Sequence, residues 1–488
     1  MRTKTWILIW IAQWIFVHMM GQVTFTRDSL LTLAIQHNRK LLMAIEEIEA
    51  ARYEQKAART NFLPKLSATG TYMYNQKTVS LLSEQQQHDL SHMGDRLTNG
   101  LEKSFGQLGG DYTMLAQLIG PLAAIDIATP LNELGHSLVK AMQTDTRHIW
   151  AGGISLTQPL YMGGKIRAYY QITQQAETLA NNQWETEHQK IIEEMETVYW
   201  SVISLSARKE LAKEYVHLVR TLEEDMKKMY SVGVVTRADE LMVKVKVGEA
   251  DMAMTEISNG LNLSRMLLCQ LCGLPLDTTL RLADEGKDSI ESQPPTIPSQ
   301  GEIDFALTHR PELKSLEAVV QMNRLNERIT RAGYLPTLAL TGNYLASNPS
   351  VLNGFERKFR GTWNMGILLN VPLFQWGEGV YKTRESHTKT LSAEWQLIEA
   401  SEEITLQVHQ CKYQLEEAYK RLTLTESNRR EAEENLRYAL LSFHEGVTSA
   451  TQVMEAQTAW LSAEVSCIDA QIGIKLAEVR MQRAMGEL

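Results

Sequence analysis

The chain has 488 residues, 44% of them hydrophobic, and a formal charge of -9 at neutral pH. That length suits two or three ordinary domains, and the mildly acidic balance excludes the basic footprint that nucleic-acid binding leaves in a sequence. No GxSxG, HExxH, Walker A or GxGxxG pattern occurs, which removes the common enzyme readings and leaves no cofactor or metal to expect.

Residues 1–21 read as a secretory signal: Arg2 and Lys4 precede an apolar run from Trp6 to Val17, and small Gly21 follows. The run is short for a retained spanning anchor, and no Cys follows the cleavage region to take a lipid. Ser29 to Asn61 is predicted as a helix with Leu30, Leu33, Ala34, Leu41, Ile45, Ile48 and Tyr53 on its apolar side, stopped by Pro64. The period then changes. Leu66, Ala68, Gly70, Tyr72 and Tyr74 alternate with Lys65, Ser67, Thr69, Thr71 and Met73, a strand of the length that spans an outer-membrane barrel, about 9–11 residues.

Residues 75–148 form an insert of short amphipathic pieces with Gly109, Gly110, Pro121 and Pro130 as breaks. It joins two strands, so it sits on the outer side if those strands span a membrane. His88 and His92 lie one helical turn apart within it; without a third ligand they read as solvated surface residues, with metal binding the alternative. A second strand follows, with Trp150, Gly152, Ile154 and Leu156 alternating with Ala151, Gly153, Ser155 and Thr157.

Gly164 to Gly233 then encloses a stretch with neither Gly nor Pro. Ile192, Met195, Tyr199, Val202, Leu205, Leu211, Tyr215, Leu218, Leu222, Met226 and Met229 step along it by three and four, one helical stripe. An unbroken helix there would be roughly 100 Å long, too long for a compact domain, so it must pack against other rods. The rod breaks at Val232-Gly233-Val234-Val235-Thr236 and restarts at once. Gly233 supplies a left-handed helix ending, and Thr236 with Asp239 approximates a capping box. Valines on such a tip suggest a docking partner. Near the end of the returning helix, Cys269 and Cys272 spell CxxC, which reads as helix packing, with redox chemistry the alternative. Asp277 to Gln300, with Pro294, Pro295 and Pro298, reads as an irregular linker.

The second half repeats the plan. One register shift carries Ala34-Ile35-Gln36-His37 onto Ala306-Leu307-Thr308-His309 and Phe62-Leu63-Pro64 onto Tyr334-Leu335-Pro336. Another carries Trp150 onto Trp363, Pro159 onto Pro372, Gly164 onto Gly377, Gly233 onto Gly446 and Gly273 onto Gly486. A helix is expected from Ile303 to Gly333, then a strand, then a fourth strand with Trp363, Met365, Ile367, Leu369 and Val371 on one face and Asn364, Gly366, Leu368 and Asn370 on the other. Trp150 and Trp363 open their strands and Trp376 closes the last, as membrane interfaces favour; a soluble half-buried hairpin is the alternative. A second rod runs from Gly379 to Gly446, and its tip is Gly446-Val447-Thr448-Ser449, with Gln452 three residues beyond Ser449. Four strands cannot close a barrel and open edges in lipid are prohibitive. Three chains would supply twelve strands and six helical hairpins.

In this order and duplication the chain resembles the TolC-like outer-membrane efflux proteins, over all but the signal and the insert. The carrying features are the helix–(Leu-Pro)–strand units, the strand exits Gln158-Pro159-Leu160-Tyr161 and Val371-Pro372-Leu373-Phe374, and the Val-Gly-x-x-Thr tip. The resemblance implies a mainly α fold with a membrane β part: a homotrimer whose four strands per chain make a twelve-stranded barrel in the outer-membrane lipid, continued by an α-helical barrel in the periplasm. It implies passive export, powered by an inner-membrane pump through a periplasmic adaptor that meets Val232, Gly233, Val234, Val235, Thr236, Gly446, Val447, Thr448 and Ser449. Glu445 stands where the first tip has Val232. A periplasmic gate falls on Asp239, Gln452 and Glu455, of which one is an amide; a threefold ring of Glu455 would attract cations, while helix-start carboxylates favoured by the dipole are the alternative. The domain plan is a signal (1–21), a first repeat (22–276) carrying the 75–148 insert, a linker (277–300) and a second repeat (301–488). A secreted coiled-coil scaffold without channel activity explains the rods and tips but not the four Trp-bordered strands.

Overall fold

The computed structural model describes residues 24–76, 79–80, 82–107, 126–144, 146–286, 300–350 and 357–488. The expected secretory signal lies outside them, as do Gly109, Gly110 and Pro121 of the insert and residues 287–299 of the linker. In chain order the first repeat runs α1 (Arg27–His37), α2 (Arg39–Arg59), β1 (Lys65–Tyr74), then the insert with α3 (Glu84–Ser91), α4 (Met93–Gln107) and α5 (Ala128–Ala141). It continues through β2 (His148–Met162), α6 (Lys165–Ser231) and α7 (Arg237–Leu271). The second repeat is α8 (Gln300–His309), α9 (Pro311–Ala332), β3 (Thr337–Asn348), β4 (Arg360–Asn370), α10 (Glu378–His444) and α11 (Ala450–Met485).

The chain divides into two units that each draw on both repeats. One, helical, comprises Met1–Ala58, Arg167–Thr330 and Val380–Leu488. The other, Arg59–Ile166 and Arg331–Gly379, holds the strands and the insert.

Within the helical unit, α6 and α10 are each 67 residues long, so the duplicated rods match in length. Apolar residues along them are buried in four separate clusters instead of one core. The largest joins Leu30, Leu41, Met195, Tyr199, Val202, Leu268 and Leu282. Its polar complement was not legible in the sequence. The Tyr199 hydroxyl donates to Asp284 at 2.5 Å, Trp200 Nε1 donates to Glu196 at 3.1 Å, and Arg27 pairs with the same buried Glu196. Burial, reinforced by Asp284, raises the Tyr199 phenol above its ordinary value, so it stays a neutral donor.

Three expectations are corrected here. The helix expected from Ser29 to Asn61 is two helices broken at Asn38, and the one expected from Ile303 to Gly333 is broken at Arg310. The linker is irregular only in part: Arg281–Leu282 pairs in parallel with Thr24–Phe25, and Leu280 and Leu282 are buried. That segment closes over the end of α7, because two buried leucines outweigh its polar composition.

Cys269 and Cys272 are buried in the same cluster, where their thiols donate to the carbonyls of Thr278 and Leu30. Burial pushes the Cys272 thiol up to about 12 and raises that of Cys269, the opposite of what a redox nucleophile needs. Alkylation of the native protein at pH 8 is therefore expected to spare both, with labelling only after denaturation. Rapid native labelling of Cys272 would reinstate the redox reading.

In the strand unit, one antiparallel sheet runs in the order β1-β2-β3-β4. Ala68, Ile154, Tyr344 and Trp363 line up across it on one face. On the other, Ser67, Ser155, Asn343 and Asn364 line up, and hydrogen bonds join Ser67 to Ser155 at 2.7 Å and Asn343 to Asn364 at 3.0 Å. Alternation thus gives one apolar and one polar face, yet β1 and most of β4 are exposed on both. The strands at the two edges, β1 and β4, have no outer neighbour among the described residues.

The insert continues the β1–β2 hairpin through a short ladder between Val79–Ser80 and Gln143–Thr144. Beyond it α3, α4 and α5 pack closely. A Cβ at Gly135 would meet the Leu90 carbonyl oxygen at 1.8 Å, and one at Gly94 the Ala128 carbonyl oxygen at 2.1 Å, so glycine permits the contact. His88 and His92 are exposed and stack with ring centroids 4.3 Å apart.

Candidate functional site

The α6–α7 and α10–α11 turns are built alike from their residues. After α6, Gly233 takes φ +79°, its N–H donates to Tyr230 O at 3.0 Å, and that of Val234 donates to Met229 O at 3.0 Å. This is a Schellman ending, which satisfies the last carbonyls of the helix. After α10, Gly446 takes φ +73° and the N–H groups of Gly446 and Val447 repeat the pattern onto Phe443 and Ser442. Both returning helices start with a full capping box. Thr236 accepts from the Asp239 N–H while Asp239 accepts from the Thr236 N–H, and Ser449 and Gln452 make the same exchange.

The two tips share one apolar cluster: Leu222 and Met226 of α6, Val243 of α7, Phe443 of α10, and Val453 and Met454 of α11. Val235 packs against it and is half-buried, unlike the other two valines of that tip. Val232, Val234 and Val447 do face outward, at 73%, 67% and 81% exposure. Exposed apolar side chains at both tips suit a docking partner. The tips are not equivalent. Arg237 pairs with Glu240 and lies 5.6 Å over the Tyr230 ring at the first, whereas uncharged Gln452 caps the second.

Of the expected gate residues, Asp239 and Gln452 are engaged as caps. The Thr236 hydroxyl, and after it the Thr236 backbone, hold the Asp239 carboxyl below its usual range. A carboxylate with a depressed folded pKa stabilises above the ordinary pKa of about 3.9, and that contribution is lost as pH falls through the folded value. Spin labels at Val232→Cys and Val447→Cys, read as the pH is lowered from 7 to well below the ordinary carboxylate range, are therefore expected to show loosening at the first tip alone. Asp239→Asn should remove the response; equal loosening at both tips would deny Asp239 that role. Glu455 is exposed and lines an open groove of about 700 Å³ between α7 and α11, opposite Met242 and Val245 and beside Met454.

Strand-end aromatics cluster at one end of the sheet, where Trp150 lies 4.4 Å from Tyr72, and the Tyr72 hydroxyl bonds His148 at 2.9 Å. Trp363 is 73% exposed on β4. Trp376 does not close that strand. It lies beyond it, in the turn into α10, with φ +51°. Among the described residues, no helix is long and apolar enough to cross a membrane.

Solved structures with this architecture exist. The chain is similar to the CmeC outer membrane channel of Campylobacter jejuni (TM-score 0.72, 14% identity, covering 94% of this chain and 85% of that one). It is also similar to the outer membrane protein VceC of Vibrio cholerae (TM-score 0.69, 15% identity, 94% and 96%). In sequence it is 26% identical over 234 residues to the alkaline protease secretion protein AprF of Pseudomonas aeruginosa, an alignment that spans 48% of each chain, about half the length of that relative. The family model for outer membrane efflux proteins matches residues 127–273 and 303–487, which include β2 to β4 and both helical hairpins. The chain belongs to the outer membrane efflux protein family.

Proposed function

We propose that this protein is the exit duct of a tripartite efflux or type I secretion assembly, a homotrimer that passively exports small molecules or polypeptides across the outer membrane. One observation carries the reading: a four-stranded sheet with an apolar and a polar face whose two edges have no neighbour within the described chain. Open edges cannot persist in lipid, and three such sheets supply the twelve strands of a spanning barrel. In this reading Trp150, Trp363 and Trp376 anchor at the membrane interface, and the helical unit extends into the periplasm. Val232, Gly233, Val234, Val235, Thr236, Gly446, Val447, Thr448 and Ser449 receive the hairpins of a periplasmic adaptor coupled to an inner-membrane pump. The gate lies at the level of Asp239, Gln452 and Glu455, with Glu455 as the carboxylate not used in a cap. The repeat plan, 22–276 and 301–488, gives each protomer two hairpins for the adaptor.

Two measurements test this. A barrel in detergent shifts in gel mobility on heating, whereas a coiled-coil scaffold does not. A photo-crosslinker at Val234 or Thr236 should then trap an adaptor. Its identity separates the two export classes, and similarity to a protease secretion protein supports the polypeptide one. Capture at an insert position such as Leu134 in place of the tips would overturn the docking assignment.

A further inference from the structure

The internal duplication predicts more than the presence of a partner at the sheet edges. The shift that carries Lys65 onto Thr337 carries β1 onto β3, and the shift that carries Trp150 onto Trp363 carries β2 onto β4. The structure contains a check on both. In the first repeat Lys65 pairs with Thr157, and in the second their counterparts Thr337 and Asn370 pair with each other. The same holds along the ladder: Ala68 pairs with Ile154, and Leu340 pairs with Ile367. The β1–β2 seam and the β3–β4 seam are therefore one seam, repeated without a slip.

The remaining seam, β2 with β3, joins the first repeat to the second. Its counterpart joins β4 to β1, and within one chain these are the opposite edges of the sheet. We propose that β4 of one protomer pairs with β1 of a second copy of this chain in the register of the β2–β3 seam. Because Ile154 pairs with Tyr344, Leu156 with Gly342 and Thr157 with Thr341, Ile367 faces Tyr72 of the next protomer, Leu369 faces Gly70 and Asn370 faces Thr69. This rests on the homo-oligomeric reading and adds to it the register.

The same mapping explains a difference between the repeats. β2 runs to Met162, past Thr157 where its pairing with β1 ends, and the extra residues pair as strand with β3 alone, with a register shift between Pro159 and Tyr161. The corresponding stretch of the second repeat, Val371 to Gln375, is not strand, and Leu373 and Phe374 are 91% and 71% exposed. Like composition with unlike structure points to the partner: in the first repeat β3 is present in the same chain, while in the second the equivalent strand belongs to another copy. On association Val371–Gln375 becomes strand, Leu373 bulges as Leu160 does, and Phe374 comes opposite Leu66 of the neighbour. The two exposed side chains then gain a surface to cover them, which favours this register over a slipped one.

Disulfide trapping reads the register directly. Directly opposed residues in an antiparallel pair have Cα atoms about 4.5–5.5 Å apart, inside the range a disulfide accepts, while a slip of two residues puts them about 7–8 Å apart, outside it. The four native cysteines are buried, and single-cysteine variants give the background. In outer-membrane preparations, Thr69→Cys with Asn370→Cys should yield covalent dimer and trimer on denaturing gels, about tenfold more than Asn370→Cys paired with Ser67→Cys or Thr71→Cys. Gly70→Cys with Leu369→Cys is the second pair, at a glycine whose Cβ meets nothing within 4 Å. An intact oligomer in which a slipped pair traps best, or no pair traps, overturns the register and leaves the oligomer standing. A monomer by native mass measurement overturns both.

Discussion

Gly233→Val is expected to cut export about tenfold while leaving assembly of the outer-membrane oligomer intact. Gly233 sits at φ +79°, where an L side chain strains the backbone by about 1–2 kcal/mol, and where a β-branched residue is an outlier. Space is not the obstacle, because no atom lies within 4 Å of a Cβ built there. The strain instead removes the Schellman bonds from Gly233 and Val234 onto α6 and re-aims Val232 and Val234. If only the native turn is competent to dock, the adaptor's apparent affinity falls with its population, and 1.4 kcal/mol is already about tenfold. Gly233→Asn is the control, since asparagine tolerates the left-handed region. It should retain most export. The shared cluster of Leu222, Met226, Phe443 and Val453 involves neither variant, so oligomer yield on semi-native gels should match wild type for both. Wild-type export by Gly233→Val would remove the tips from the docking site, and equal loss in both variants would shift the cause from backbone to side-chain chemistry.

How much of this was legible in the sequence depends on whether the controlling interaction was local. Gly233, Thr236 and Asp239 announce the first tip because a left-handed glycine and a capping box are satisfied within a few residues. β1 was legible to its ends, Lys65 to Tyr74, because period-two alternation and Pro64 are local too. Val235 is half-buried because it packs against a cluster that α6 and α7 share with α10 and α11, a tertiary contact that no local pattern announces. β2 was read short since Pro159 looked like an exit; it is tolerated because that part of the strand has β3 on one side only. Trp376 was placed on a strand by its residue type alone. The breaks at Asn38 and Arg310 were missed for a related reason. In the second repeat Pro311 did carry a signal, since the residue before proline is pushed away from helix and proline suits a first helical position. Arg39 offers no such sign in the first repeat, where the break is held from a distance.

That distant tie makes loss of Arg310 costly to the helical unit. Both breaks are fastened to the end of the last helix of their own repeat. Asn38 Nδ2 donates to Leu271 O at 3.2 Å, and its Oδ1 accepts from Lys40 N at 2.9 Å. Arg310, its counterpart, is 5% exposed and forks: Nη1 donates to Arg483 O at 2.8 Å and Nη2 to Gln407 at 3.0 Å. Glu312 lies 3.2 Å from Nε and offsets the burial that lowers the guanidinium pKa. Arg310→Met fills much of the volume but removes the donor to the exposed Gln407 amide and one of the two donors to the Arg483 carbonyl, which keeps the Gly486 N–H; these are two charge-assisted bonds, at about 1.5–3 kcal/mol each. Loss of the buried charge partner adds to this, for a total of roughly 3–5 kcal/mol. Asn38→Ala removes one long-range bond and one cap, about 1–2 kcal/mol. At one fixed scan rate, the apparent melting temperature by circular dichroism should therefore fall further for Arg310→Met than for Asn38→Ala. Arg310→Lys should recover little, because an ammonium cannot reach two separated acceptors as a planar fork does. Full rescue by lysine would mean that charge alone matters here. Equal melting of the arginine and asparagine variants would mean that the two breaks, alike in place, are also alike in what holds them.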